Sequence, residues 1–274
     1  MPPQPQRLTS FMDAGRSFRI VVAVDPFGSL EPTMELLRSF SPANVEFHLV
    51  YAFNASTHAH PIADLRRARL GLEVAGMGAA HVVERNDNAT AIIEEALKCG
   101  ADMIALGPRC PKAIIRELLD CSPVSVLVIH AAPRETHGLT AVLATDHTEY
   151  MSRCIPTLRE MNPSGLQELV ILTADPTSWF DATRYAERML ANRRLGVRLE
   201  PMCHSWSAVV LEGPPNDVIR GVMQERRADL LILGAPRIDS SRLRRTGQVL
   251  YDQAISGPHS TLVLRCLESA ALIM

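Results

Sequence analysis

The sequence predicts an α/β protein of two tandem doubly wound, Rossmann-like domains, each with a mainly parallel five-stranded sheet. Three observations lead there. Short continuous apolar runs such as Leu230–Leu233 and Thr261–Leu264 are bounded by Gly or Pro, the mark of strands buried on both faces. Segments of helical period lie between such runs, as right-handed crossovers between parallel strands require. The arrangement also occurs twice. Residues 101–130 (ADMIALGPRCPKAIIRELLDCSPVSVLVIH) and 228–266 each give a strand ending in Gly, a Pro and Arg beyond it, a helix and a second strand. Upstream, FRIVVAVD (18–25) matches LTAVLATD (139–146), and Ala91-Ile92 precedes Asp102 as Val218-Ile219 precedes Asp229.

Taken in order, residues 1–17 form a Pro-rich extension, followed by a first domain over 18–133 and a second over 139–267. In the first, Phe18–Asp25 is a strand, and Met34, Leu37 and Phe40 mark one face of a helix over Glu31–Phe40. A strand at Val45–Phe53, a helix over about 62–73, a strand at Ala80–Glu84 and a helix over Thr90–Cys99 follow. Gly100 stops that helix. The linker, Ala131–Gly138, is short enough that the halves should pack together. In the second domain Leu139–Asp146 is a strand, Tyr150–Met161 a helix and Glu168–Ala174 a strand. A helix over 178–195 should turn Phe180, Ala182, Tyr185 and Met189 inward. Val197–Trp206 has no counterpart in the first half and reads as an extra strand or loop. Ala208–Glu212 is then the third strand, and Asn216 caps a helix over Asp217–Arg226.

A chain of 274 residues with 47% hydrophobic and 5% aromatic content suits two aliphatic cores. The net charge of −2 gives no general reason to bind nucleic acid or an acidic membrane. The six cysteines form no Cys-x-x-Cys pair and have no His partner at zinc spacing, so they read as reduced thiols of a cytoplasmic protein. No signal-peptide core or membrane-length apolar stretch is present, and nucleic-acid and membrane partners are not expected.

The chemistry-bearing residues are few. His58, His60 and Asp64 lie in a polar loop without a third ligand at metal spacing. His130 and His147 sit at strand ends, but no nucleophile motif accompanies them. Asp25 and Asp146 end the first strand of each half, where they either cap the next helix or meet a ligand at the topological switch point. Arg237, Arg242, Arg244 and Arg245 make the loop after Gly234 basic, which reads either as a solvated loop or as an anion contact.

The order strand-Asp, helix, strand, helix, strand, helix, Ala-Asp-apolar-Gly, loop, helix, strand resembles the universal stress protein family in its tandem form, over essentially all the chain after residue 17. ATP-binding members of that family carry Gly-x-x-Gly, nine residues and Gly-Ser or Gly-Thr after the fourth strand, with the first strand's Asp beside the adenosine. Carried over, the second half supplies Gly234, Arg237 at the second glycine, Gly247 at the third and Gln248 at the hydroxyl, with Asp146 as the first-strand residue. The first half keeps Asp25 and Gly107 but has Cys110, Asp120 and Cys121 at the remaining places. The resemblance therefore implies a non-catalytic stress-response or regulatory protein acting through protein contacts, its nucleotide site degenerate. The alternative is an ATP-binding module using the second domain only, with slow ATPase activity. It also implies an internal pseudo-dimer across the last strands, with a further homodimer compatible with it.

Overall fold

The computed structural model describes residues 17–24, 30–40, 45–53, 66, 69–70, 80–86, 88–134, 138–161, 163, 165–176, 181–235 and 247–266. In the first half β1 (Phe18–Ala23), α1 (Glu31–Phe40), β2 (Val45–Phe53), β3 (Ala80–Asn86), α2 (Asn88–Cys99), β4 (Met103–Leu106), α3 (Lys112–Cys121) and β5 (Ser125–Val128) follow one another. The second half contains β6 (Leu139–Ala144), α4 (Glu149–Met161), β7 (Leu166–Asp175), α5 (Ala182–Leu199), β8 (Cys203–Glu212), α6 (Pro215–Glu225), β9 (Leu230–Gly234), α7 (Gln248–Ser256) and β10 (Ser260–Leu264).

All these strands form one ten-stranded sheet in the order β3-β2-β1-β4-β5-β10-β9-β6-β7-β8. Within each half the order is 3-2-1-4-5 and every pairing is parallel. Only β5 and β10 run antiparallel, joining the halves with Leu127 opposite Leu262. Leu, Ile and Val side chains fill both faces. Ile20, Leu37, Leu143, Ile155 and Leu158 pack on the side of α1 and α4. Ile104, Leu118, Ile219, Leu231 and Leu250 pack beneath α2, α3, α6 and α7.

The repeated Ala-Asp pair has a structural cause. Asp102 Oδ2 accepts the Arg19 N–H at 2.9 Å, while its own N–H reaches Arg19 O. Asp229 does the same towards Thr140, and its other oxygen accepts the Arg134 N–H from the linker. Each Asp ties the start of the fourth strand to the first, satisfying a main-chain donor at the beginning of the first strand.

At the seam the halves interlock reciprocally. Ser125 Oγ accepts the Arg265 N–H (3.1 Å), and Ser260 Oγ accepts the His130 N–H (3.2 Å). The Arg265 guanidinium donates to Leu119 O at the end of α3, and His130 Nε2 lies 2.9 Å from Ala254 O near the end of α7. A carbonyl only accepts, so His130 Nε2 carries its proton. These pairs stand at one constant spacing in the chain, the sign of an approximate twofold axis. Arg116 and Tyr251, related by the same spacing, meet on it with the guanidinium 5.5 Å from the ring centroid.

Several sequence expectations need correction. Val197–Trp206 is not an extra element: it completes α5, passes a short 3₁₀ turn at Glu200–Met202 and opens β8, which runs ten residues from Cys203 instead of starting at Ala208. The helix predicted over 178–195 is α5, at Ala182–Leu199, and its inward side is Asn192, Leu195, Gly196 and Leu199. Ala182 and Tyr185 are exposed, because the first turns of α5 lie over Asp175 at the end of β7, where Arg184 and Arg188 pair with it. Asn216 does not cap α6, which starts at Pro215; its amide binds Asp252 Oδ2 at 2.8 Å on α7. The expected helix over 62–73 lies largely outside the described residues, as do the extension 1–16 and the loop with His58, His60 and Asp64.

Candidate functional site

The switch point of the second half lies between β6 and β9, and a cavity of about 570 Å³ opens at their carboxyl ends. Thr145, Asp146 and Thr148 line it from the β6–α4 turn, and Tyr150 and Met151 from the first turns of α4. Leu172 and Ala174 of β7, Pro215 and Ile219 of α6, and Gly234, Gly247, Val249 and Leu250 complete the wall. The surface is mainly aliphatic with a few polar groups at one side, and its size falls in the roughly 300–1,000 Å³ of small-molecule sites.

Each polar group is held by local structure. Asp146 Oδ1 accepts the Thr148 N–H at 3.0 Å, which folds the turn so that the carboxylate faces the cavity mouth. His147, with φ 58°, is in the left-handed region and its ring turns away from the cavity. Asn192 Nδ2 donates to Val209 O (2.8 Å) and Ile171 O (3.3 Å), so its oxygen is fixed as an acceptor for Thr173 and for His147 Nε2–H at 2.7 Å. Burial is the main cause that pushes the His147 pKa below the ordinary histidine value, against the opposing pull of its bond to Asn192. This histidine is an anchor for the turn. Burial above all, then a hydrogen bond to Cys154, pushes the Tyr150 hydroxyl well up, so it stays protonated as a donor.

The two motif glycines differ physically. A Cβ on Gly234 would lie 2.6 Å from Met151 Sδ, so a side chain there would have to displace the Met151 thioether of α4. Among the described residues a Cβ on Gly247 would meet nothing within 4 Å, and φ is −56°, so neither their packing nor the backbone calls for glycine at this position. Gly247 is the N-cap of α7 with no side-chain cap, and the first turn of α7 borders the cavity. Gln248 faces elsewhere: its amide donates to Asp252 Oδ1 at 2.7 Å. The structure thus brings Asp146, Gly234 and Gly247 together and leaves Gln248 out; Arg237 and Asp25 lie outside the described residues.

The first half is built differently. From Gly107 to the first residue of α3 is five positions, against fourteen from Gly234 to the first residue of α7. Position-by-position counting put Asp120 and Cys121 at the third-glycine and hydroxyl places, near the helix start or inside it, and they are the last two residues of α3. Asp120 accepts the Tyr251 hydroxyl at the seam, and the residue at the start of the helix is Lys112. The long loop is deleted, not merely substituted. Cys110 follows Gly107 in this short turn, with its N–H on Gly107 O at 3.1 Å.

Solved structures share this architecture. A universal stress protein from Archaeoglobus fulgidus DSM 4304 superposes with a TM-score of 0.65 at 15% identity, covering 91% of this chain and 98% of its own. The chain has the tandem universal stress protein fold. A functionally unknown protein from Pseudomonas aeruginosa PAO1 is as similar, with a TM-score of 0.64, 18% identity and 90% and 92% of the two chains covered. The cytoplasmic domain of a prokaryotic cation chloride cotransporter also matches, at a TM-score of 0.53, 14% identity and 94% and 100% coverage. At these identities the likeness is one of fold. No family model and no curated protein sequence matches the chain. Among the described residues of this universal stress protein-like chain, no helix is long and apolar enough to cross a membrane, and no group of three or more His, Cys, Asp and Glu is arranged to hold a metal ion.

Thr145, Thr148, Tyr150 and Met151 escaped sequence reasoning. Their only signal was position, immediately after an apolar strand that ends on Asp at a switch point.

Proposed function

We propose that this protein is a non-catalytic regulatory module of the universal stress protein type that takes one adenine nucleotide per chain, in its second half, and passes the bound state to protein partners. The observation that carries the reading is the asymmetry between the halves: a nucleotide-sized cavity with Asp146 at its mouth in one, and a five-residue turn at the matching place in the other. The aliphatic walls, Leu172, Ile219 and Val249 among them, suit a purine. Asp146 suits the ribose hydroxyls, and the uncapped start of α7 at Gly247 favours an anion. The Gln248 side chain, turned to Asp252, adds no donor of its own to the phosphates, so the hold on them is weaker than with a hydroxyl there. Among the described residues the titratable groups on the wall are Asp146, engaged with Thr148 N–H, and a protonated Tyr150, a set suited to binding and not to acid–base turnover.

Calorimetric titration with ATP tests this. One site per chain is expected, with affinity reduced about tenfold or more by Gly247→Asp, which brings a like charge to the phosphates. Because position 247 has an ordinary φ and open space, that variant should keep the parent's melting temperature. Binding that survives Gly247→Asp, or two sites per chain, contradicts the reading.

A further inference from the structure

Behind the cavity wall, Cys154 of α4 and Cys266, just beyond β10, place their sulfurs 3.4 Å apart, in van der Waals contact and unbonded. Cys154 is fully buried, while Cys266 is 8% exposed. Each thiol lies against a main-chain carbonyl, Cys154 Sγ 3.8 Å from Leu264 O and Cys266 Sγ 3.8 Å from Tyr150 O. The Cys266 N–H donates to the Tyr150 hydroxyl at 3.4 Å, and Tyr150 lines the cavity.

We infer that Cys154 and Cys266 are an oxidation site, closed into a reversible disulfide by a two-electron oxidant of the peroxide class. Closure requires the sulfurs to approach from 3.4 Å to about 2.05 Å, a shift of a little over an ångström by two side chains on separate elements. Cys266, the more accessible, reacts first. Its thiolate sulfur bonds to one peroxide oxygen as the O–O bond breaks, giving a sulfenic acid and hydroxide, which leaves as water with the thiol's proton. Cys154 sulfur then attacks Cys266 sulfur, the S–O bond breaks, and the departing hydroxide takes the Cys154 proton as a second water. Two thiols lose two electrons in all and one peroxide gains them. Burial pushes the Cys154 thiol up to about 12, which keeps it protonated and slow towards peroxide; in the second step its 3.4 Å contact with the Cys266 sulfur offsets its small thiolate fraction.

The bond would tie α4 to the end of β10 next to Tyr150. Resting on the reading of the cavity as a nucleotide site, oxidation is expected to change ATP affinity about tenfold.

The test uses the full chain with Cys99, Cys110, Cys121 and Cys203 changed to Ser, which retains only this pair. Hydrogen peroxide should remove two hydrogens from the intact mass and yield one linked tryptic peptide pair, both reversed by dithiothreitol. Cys266→Ala, at the less buried position, and Cys154→Ala should each abolish the link. Oxidation of Cys266 to the sulfinic acid with Cys154 left free would overturn the site. Equal ATP affinity in the reduced and linked forms would overturn the coupling. Loss of ATP binding in both forms would count against the nucleotide reading alone, since the link is read by mass.

Discussion

Gly100 and Arg227 show how one backbone feature is met by two residues of unequal fitness. Each follows a helix in the left-handed region, Gly100 at φ 62° and Arg227 at φ 50°, and each is followed by the same 6→1 bond, Ala101 N–H to Ala96 O and Ala228 N–H to Met223 O. Glycine holds this conformation without cost, whereas a side chain there loses roughly 1 kcal/mol. Arg227→Gly is therefore expected to stabilise the protein by about 0.5–1 kcal/mol, read as a rise in the urea midpoint at unchanged slope. The role of Gly100 was legible from its place after an apolar helix. That of Gly234 was not, because the atom a side chain there would displace is Met151 Sδ, eighty-odd residues away in sequence. Spacing marked Gly247 as a candidate, and the space around its Cα among the described residues shows that no packing contact calls for a glycine there. Gln248 occupies the right position in sequence and points the wrong way.

At the scale of elements, α5 and β8 are where sequence and structure part most. The indole of Trp206 on β8 lies against Gly196 of α5, where an added Cβ would come within 2.3 Å of the ring. That ring is rigid and cannot yield as a methionine does. Gly196→Ala is expected to cost about 2–3 kcal/mol in thermal or urea unfolding, while the same change at Gly221, with nothing within 4 Å, should not destabilise α6. The helical period of α5 was blurred because its inward positions carry Arg184, Arg188 and Asn192, which bind Asp175 and the main chain of β7 and β8. β8 was read short because it is an outer strand of the sheet, where both faces mix polar and apolar residues. The inner strands β1, β4, β6 and β9 were legible almost to the residue, since burial on both faces leaves an aliphatic run interrupted only near the start, by Arg19 in β1 and Thr140 in β6. Loop length was the hardest quantity. Counting fixed offsets from Gly107 assumed a loop that the first half does not have.

Across the whole molecule, the two halves share one sheet and their charged and polar groups settle along its seam and ends. Burial is the leading cause that lowers the pKa of His130, His147 and His259. Between the ordinary value of about 6.5 and these lower folded values the unfolded chain binds protons that the folded chain does not. Stability is thus unaffected by these groups above pH about 6.5 and falls as pH drops through that value towards the folded pKa values. A lower melting temperature at pH 5.5 than at pH 7.5 is expected, with a smaller difference in His130→Gln, whose amide can still donate to Ala254 O but cannot titrate. An identical difference in that variant would assign the pH dependence to other groups.

The same asymmetry that organises the molecule, a long loop and cavity in one half and a tight turn in the other, yields the most direct measurement. Photolabelling with 8-azido-ATP followed by peptide mapping reports where the base lies, without relying on affinity differences between variants. Modification is expected only in peptides containing Thr145–Met151 or Pro215–Ile219, suppressed by excess ATP. Competable labelling of peptides around β4 and α3, or of both halves alike, would contradict it.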